Sequence, residues 1–224
     1  MKNTLKLFLN IISLPKIFLN WYCLIIINMF FNLDIVLDIG CGDGAFMSIL
    51  KKNWLWKKKN PHIIIGLDIS KDALSNEPVK MVYDERILCD VKCMPLRYLS
   101  VDLSLCICVI EHLIKNDGII LLNNIDFITK KQSILVTHVG YVPSDDHYSI
   151  YQIHRSGFLP KELYKYDYDV KGIVGVRGLF LKYVNSKITK SFIFLLTVHM
   201  SRLICYLFPN VAYSMLCMKK YCYE

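Results

Sequence analysis

The chain has 224 residues, of which 54% are hydrophobic and 21% charged, and its formal net charge is +8. This length supports one α/β domain with a full core. The nine cysteines are odd in number and include no C-x-x-C pair, which excludes a disulfide framework and a zinc-binding spacing. We interpret them as reduced thiols of an intracellular protein. The positive charge permits contact with nucleic acid or an anionic membrane, and it also keeps an apolar protein soluble.

Residues 1–33 are predicted to form a helical extension in front of the main domain. Pro15 separates a short first helix from a second, strongly apolar one over residues 18–31. Asn20 and Asn28 interrupt this run, which leaves fewer than the ~18 clean apolar residues expected of a membrane span. We therefore favour a helix that packs on the sheet or lies on a membrane surface. A cleaved signal sequence and a transmembrane anchor are the alternatives.

A glycine-rich turn follows the first predicted strand. Its sequence from Asp38 is D-x-G-x-G-x-G, with glycines at 40, 42 and 44 and a further acid at Asp43. Glycine lets a ligand lie directly against the backbone because no Cβ intervenes. A dinucleotide site would have G-x-G-x-x-G and would hold a pyrophosphate, which two carboxylates would repel. The turn therefore indicates a ligand with a cationic head.

Further strands bring more acids to the same edge of the predicted sheet. The second strand is followed by Asp68, and the third ends at Asp90. An acid at the end of the second strand can accept both ribose hydroxyls of a nucleotide. Since the carboxyl ends of parallel strands form the ligand site of such sheets, we expect these acids to lie close together. The predicted strands are 34–38, 62–67, 86–90, 101–107 and 133–139, and the predicted helices are 44–54, 71–76 and 115–131.

This arrangement resembles the class I S-adenosylmethionine-dependent methyltransferases, and within them the type-11, ubiquinone/menaquinone-biosynthesis-like subgroup. The glycine turn is similar to motif I of the family, and Asp68-Ile69-Ser70 is similar to motif II. Residues 101–113, VDLSLCICVIEHL, resemble the family segment DLVLCSDVLEHL, and residues 154–158 resemble its H-x-S-G-W segment. The resemblance covers roughly residues 33–185 and, more weakly, residues 209–219.

The resemblance implies a fold, a cofactor and a set of site residues. The fold is a doubly wound, mostly parallel, seven-stranded α/β sheet in one domain over residues 34–224. It has strands at 169–176 and 211–219, the last one antiparallel, and a helix over 190–208 between them. The cofactor is S-adenosyl-L-methionine. Asp68 would hold its ribose, and Asp90 with the Val91 N–H its adenine. The implied cofactor-binding residues are Asp38, Gly40, Cys41, Gly42, Gly44, Asp68, Ile69, Asp90, Val91 and Cys106.

The segment after the fourth strand departs from the family pattern. Ile107 and Cys108 stand where small polar and acidic residues are usual. Family contacts to the cofactor at this point are largely through backbone carbonyls, so binding can survive the change. We interpret the side chains of Cys106 and Cys108 as core residues. The N-P-P-Y type signature is absent, which argues against adenine or glutamine N-methylation.

Histidines supply the candidate catalytic groups. A base is needed if the methyl acceptor is a hydroxyl or a protonated amine, and the candidates are His112, His138, His147 and His154. His112 begins the helix after the fourth strand and is the first choice, with His154 second. Each has a structural alternative: a helix-start residue beside Glu111 for His112, and a loop tether for His154. No metal site is predicted.

The sequence thus predicts a methyltransferase acting on a small-molecule or lipid-like acceptor. The alternatives are an RNA- or protein-modifying enzyme and a non-catalytic cofactor-binding protein. Residues 140–160, rich in tyrosine and histidine, are predicted to form a loop that covers the site. The basic, tryptophan-containing segment 51–59 is a solvated helix end or a phosphate- or headgroup-binding surface. We expect a cytoplasmic protein that has peripheral membrane contact as an open alternative.

Overall fold

The computed structural model describes residues 33–52, 61–144, 150–176 and 202–222. The predicted N-terminal extension, most of the segment 51–59, His147 and all but the end of the predicted helix 190–208 lie outside these residues. The seven strands are β1 (Ile35–Ile39), β2 (Ile63–Asp68), β3 (Glu85–Leu88), β4 (Val101–Ile107), β5 (Thr129–His138), β6 (Asp169–Val176) and β7 (Ala212–Lys220).

The strands form one seven-stranded sheet in the order β3-β2-β1-β4-β5-β7-β6. The first five strands are parallel, and β7 is antiparallel to both β5 and β6. The order reverses between β1 and β4, which is where doubly wound sheets bind ligands. The predicted fold class and the antiparallel seventh strand are confirmed.

Six helices belong to the described ranges. They are α1 (Ala45–Lys52), α2 (Lys71–Ser75), α3 (Glu77–Val82), α4 (Lys115–Ile128), α5 (Pro160–Leu163) and α6 (Arg202–Leu207). The helix α3 was not predicted, although Pro78 lies in its first turn, where proline is favoured. Among the described residues, no helix is long and apolar enough to cross a membrane.

The sheet is buried on both faces because neighbouring residues of its central strands point to opposite sides. Val36 of β1 packs in one core, with Met47 and Leu50 of α1. Leu37 packs in the other, with Leu121 of α4. At the amino ends of the strands, the buried Asp102 accepts hydrogen bonds from the N–H groups of residues 34 and 35 (2.7 and 3.2 Å) and pairs with Lys131 at 3.1 Å.

The fifth strand begins four residues earlier than the sequence predicted. The N–H and the hydroxyl of Thr129 both donate to the carbonyl of Ile125, the latter at 2.6 Å, which ends α4. The same hydroxyl lies 2.7 Å from that of Ser104 in β4. The two buried hydroxyls satisfy each other's hydrogen-bonding capacity, so polar residues are tolerated at the start of this strand. A search for apolar runs therefore places the start of the strand too late.

Candidate functional site

The glycine turn between β1 and α1 forms the centre of the candidate cofactor site. Gly40 and Gly42 have φ angles of +68° and +52°, which side chains of L-residues rarely adopt. A Cβ at Gly40 would overlap a Cγ methyl of Val109, whereas a Cβ at Gly42 would meet nothing within 4 Å. Gly40 is therefore required for packing, and Gly42 leaves open space beside the backbone.

Asp38 lies at the end of β1 beneath this turn and is only 3% exposed. Its Oδ2 accepts a hydrogen bond of 2.6 Å from the hydroxyl of Tyr83. Burial raises the pKa of Asp38 to about 7; the Tyr83 hydrogen bond opposes the rise, and the charge of Asp68 adds to it. Two neighbouring carboxylates at the turn make a site that favours a cation.

Asp68 ends β2 and organises the turn directly. Its Oδ2 accepts the N–H of Gly42 and its Oδ1 the N–H of Ser70, each at 2.8 Å. Each carboxylate oxygen keeps further acceptor capacity for a ligand. The next residue, Ile69, is exposed and offers an apolar surface beside that carboxylate. This pair of residues can accept hydroxyl donors and contact a flat apolar ring.

Asp90 lies beyond β3, as predicted, but its carboxylate has local partners. Oδ1 accepts the N–H of Lys92 at 2.9 Å, and Oδ2 lies 3.4 Å from the Lys92 ammonium. That ammonium also pairs with Asp117 at 3.2 Å. Val91 is buried, and its carbonyl accepts a hydrogen bond of 2.9 Å from Asn124.

The end of β4 brings one predicted cofactor residue into the core. The side chain of Cys106 is buried in the cluster that contains Leu37 and Ile39, so a contact from this position would use its backbone. Cys108 has a φ of +55° and an exposed surface, whereas burial and the neighbouring Glu111 raise the pKa of its thiol. Its N–H donates to the carbonyl of Val136 at 2.8 Å. This left-handed residue turns the chain toward Glu111.

Three of the candidate histidines come together at the ends of β4 and β5. The ring of His154 lies 4.9 Å from that of His112 and 5.2 Å from that of His138, between centroids. The Nδ1 of His112 is buried and has no hydrogen-bond partner within the part of the chain that the structure describes. Burial, together with the neighbouring His154, lowers the pKa of His112 below its usual value. A neutral imidazole of this kind can accept a proton.

Two residues of the site were missed by the sequence analysis as functional groups. Tyr83 donates to Asp38, and Glu111, which is only 2% exposed, lies beside the histidines. Burial raises the pKa of Glu111 to about 7, and a hydrogen bond from Thr137 opposes the rise. Glu111 belongs to the EHL segment already noted, so that segment was the available signal. Tyr83 follows an unpredicted helix and gave no signal.

The Tyr83 hydroxyl is expected to stabilise the protein most at alkaline pH. The raised pKa means that ionisation of Asp38 costs folding stability as pH rises from 3.8 through about 7. Tyr83→Phe keeps the ring packed against Gly66 but removes the hydroxyl that donates to Asp38. The pKa of Asp38 then rises further, so ionisation of Asp38 continues to lower folding stability at higher pH. Urea denaturation should show a loss of about 1.5–3 kcal/mol at pH 8 and a smaller loss at pH 5. Tyr98→Phe, at an exposed tyrosine, is the control; equal losses at both pH values would refute the charge effect.

Residues 37–137 match the family model described as a methyltransferase domain. No curated protein matches the sequence. A SAM-dependent methyltransferase from Archaeoglobus fulgidus is 18% identical, with a TM-score of 0.57 over 90% of this chain and 92% of that chain.

Two other solved structures share the fold and carry different acceptors in their descriptions. The small RNA methyltransferase HEN1 is 14% identical, with a TM-score of 0.59 over 94% of this chain and 25% of that chain. A 1,6-didemethyltoxoflavin-N1-methyltransferase from Burkholderia thailandensis was solved with 1,6-didemethyltoxoflavin and S-adenosylhomocysteine. It is 12% identical, with a TM-score of 0.50 over 84% of this chain and 71% of that chain.

Proposed function

We propose that this chain, which carries a methyltransferase domain of the S-adenosylmethionine-dependent class I, transfers a methyl group to a small-molecule or lipid-like acceptor. The family, the enzyme class and the cofactor are those that the sequence predicted. The acceptor and the individual site residues are our proposal. It rests on the arrangement of charges, open backbone and apolar side chains at the carboxyl edge of the sheet.

The cofactor is proposed to bind across the glycine turn. Gly42 offers open space, Asp38 and Asp68 would provide negative charge for a cationic methionine moiety, and Asp68 would accept ribose hydroxyls. Ile69 would pack against adenine. Asp90 would reach the adenine amine by exchanging its local hydrogen bond with the Lys92 N–H. The cofactor supplies a methyl group already activated by its sulfonium, so the protein has to align the acceptor and exclude water.

The acceptor is proposed to lie over the histidines. His112 and His154 are the candidate bases, and they approach each other edge to face. His154 Nδ1 lies 2.6 Å from the carbonyl of Val142, a contact in which the imidazole donates. This contact ties the loop after β5 to the site, as the structural alternative predicted. Burial lowers the pKa of His112 and so keeps its imidazole neutral near physiological pH, which is the form that accepts a proton.

One observation supports a small or lipid-like acceptor in particular. The loop that carries His154 exposes apolar side chains beside it, with Ile150 64% and Ile153 40% exposed. Cations near this edge have partners within the protein: Lys115 pairs with Glu162 at 2.8 Å, and Arg155 donates to the carbonyl of Ile150 at 3.2 Å. An apolar rim whose nearby cations are already engaged by groups of the protein suits an uncharged acceptor better than a phosphate backbone.

The acceptor class can be tested with a radiolabelled methyl donor. Full-length protein is incubated with labelled S-adenosylmethionine and separate lipid, small-molecule and RNA fractions of a cell extract. We expect label in the solvent-extractable or small-molecule fraction. The double variant Ile150→Ser/Ile153→Ser should lose most transfer and keep cofactor affinity. Ile63→Ser, an exposed isoleucine at the amino end of β2, is the matched control.

A different outcome would favour the second candidate function. The net charge of +8 and the likeness of the fold to a small RNA methyltransferase make RNA the alternative acceptor. Label that appears in the RNA fraction, is unaffected by the isoleucine variants and falls steeply with salt would establish that alternative. Peripheral membrane contact is proposed as the route of delivery for a lipid-like acceptor, and flotation with anionic vesicles measures it separately.

A further inference from the structure

Glu111, His138 and His154 converge on one point although they come from three separate parts of the chain. Glu111 lies in the short 3-10 helix after β4, His138 ends β5, and His154 belongs to the following loop. One ligand atom from each residue lies within 4.8 Å of the other two. Two imidazoles and a carboxylate are a frequent ligand set for divalent transition metals.

Only one of the two carboxylate oxygens of Glu111 has a hydrogen-bond partner among the described residues. Oε2 accepts a hydrogen bond of 2.9 Å from the hydroxyl of Thr137. Oε1 is buried, has no hydrogen-bond partner among the described residues, and lies 4.0 Å from Nε2 of His138. A buried carboxylate oxygen without a donor is costly. The unpaired Oε1 and the neighbouring imidazole therefore favour a positively charged ligand between them.

Both histidines are oriented from outside the cluster. Nδ1 of His154 faces the carbonyl of Val142, which can only accept, so this nitrogen carries the proton and Nε2 carries the lone pair. Nδ1 of His138 lies 3.2 Å from the hydroxyl of Ser214, which leaves Nε2 on the side of Glu111. Metal-ligating histidines are typically held in this way, by a backbone carbonyl or a polar side chain on the other ring nitrogen.

We propose that Glu111, His138 and His154 bind one divalent transition-metal ion, such as Zn²⁺ or Mn²⁺, at the acceptor end of the site. Bond lengths of about 2.0–2.2 Å require the three ligand atoms to move closer than they lie without the ion. A three-ligand site leaves coordination positions open. An acceptor that bears a hydroxyl or phenol oxygen is the class of molecule that would fill one of them. This proposal departs from the sequence-based expectation of no metal site, and with the ion bound His154 is a ligand while His112 is the remaining candidate base.

A metal site and an ordinary polar cluster differ in their expected response to metal ions. A cluster held by hydrogen bonds alone would close by a shift of Glu111 toward His138 and would have no saturable affinity for metal. Mg²⁺ is the informative comparison ion, because it prefers oxygen ligands with octahedral geometry over imidazole nitrogens. The proposed site should therefore select Zn²⁺, Mn²⁺ or Co²⁺ over Mg²⁺.

Calorimetry on the full chain, freed of metal with a chelator, tests the proposal. Titration with Zn²⁺ and, separately, Co²⁺ should show one saturable site, and the Co²⁺ complex should have the visible spectrum of nitrogen and oxygen ligation without thiolate bands. Glu111→Gln and His154→Gln should each weaken binding at least 100-fold. Ser214→Ala, which removes one outer contact of His138 at Nδ1, should weaken it about 10–100-fold. His62→Ala, an exposed histidine beside Asp34, should leave binding unchanged.

Two results would overturn the proposal: no saturable site for either ion, or equal losses in the Glu111 and His62 variants. Because the unsubstituted protein provides the first readout, a variant that fails to fold does not leave the question open. S-adenosylmethionine affinity is measured in the same samples. Metal binding without cofactor binding would sink the proposed function alone, and cofactor binding without metal binding would sink this inference alone.

Discussion

Replacing Gly40 with alanine is expected to cost about 2–5 kcal/mol of folding stability. The φ of +68° costs an L-residue about 1–2 kcal/mol, and the added Cβ overlaps a Cγ methyl of Val109 and lies 3.2 Å from the other. Overpacking of this kind typically costs a further ~1–3 kcal/mol. The sum is a large part of the ~5–15 kcal/mol that stabilises a typical domain. Urea denaturation followed by circular dichroism measures the loss.

Two further variants separate the causes. Val109→Ala in the Gly40→Ala background removes both clashing methyls, so the double variant should regain stability relative to Gly40→Ala. Gly42→Ala has a similar φ of +52° but open space around its Cβ, and it should lose only the backbone part, about 1–2 kcal/mol. Equal losses at Gly40 and Gly42, or a double variant less stable than Gly40→Ala, would show that the close approach to Val109 is not the cause.

Asp68→Ala is expected to weaken S-adenosylmethionine binding by about 2–3 kcal/mol, or roughly 30- to 150-fold. The variant leaves the N–H groups of Gly42 and Ser70 without their acceptor and removes the proposed acceptor of the ribose hydroxyls. Asp68→Asn keeps one acceptor oxygen on an uncharged side chain and should give an intermediate loss. Calorimetric titration with the cofactor measures each affinity.

Asp34→Ala is the matched control for this experiment. The carboxylate of Asp34 is exposed at the amino end of β1, where it lies 3.7 Å from His62. Its removal should leave cofactor affinity unchanged. If Asp68→Ala folds normally and binds the cofactor as tightly as the parent protein, the ribose is held by another residue.

The sheet and the cofactor edge could be predicted because their signals are local. Each of Asp38, Asp68 and Asp90 ends or follows a short apolar run, and parallel strands bring such ends to one edge. The left-handed glycines follow from the need for a tight turn. The side-chain partner of Asp38 could not be predicted, since Tyr83 reaches it from 45 positions further along the chain.

The cluster of Glu111, His138 and His154 was even harder to predict from the sequence, because its residues are far apart along the chain. The spacing between any two of these residues is longer than the spacings of short metal-binding motifs. The loop that carries His154 reaches the other two residues only through tertiary contacts. Backbone N–H groups of Arg155 and Ser156 donate to the carbonyl of Glu111, at 2.8 and 3.2 Å, and bring His154 into place. The start of β5 was misplaced for a related reason, because Thr129 and Ser104 bury hydroxyls that satisfy each other.

Calorimetric titration of the full chain with S-adenosylmethionine tests the central claim most directly. We expect a single saturable site, and a parallel thermal melt should show stabilisation of about 2.7 kcal/mol when the cofactor is at ~100 times its dissociation constant. NAD, whose pyrophosphate would face Asp38 and Asp68, should give neither binding heat nor stabilisation. Absence of binding at millimolar S-adenosylmethionine, or tighter binding of NAD, would contradict the assignment of this edge of the sheet as the cofactor site.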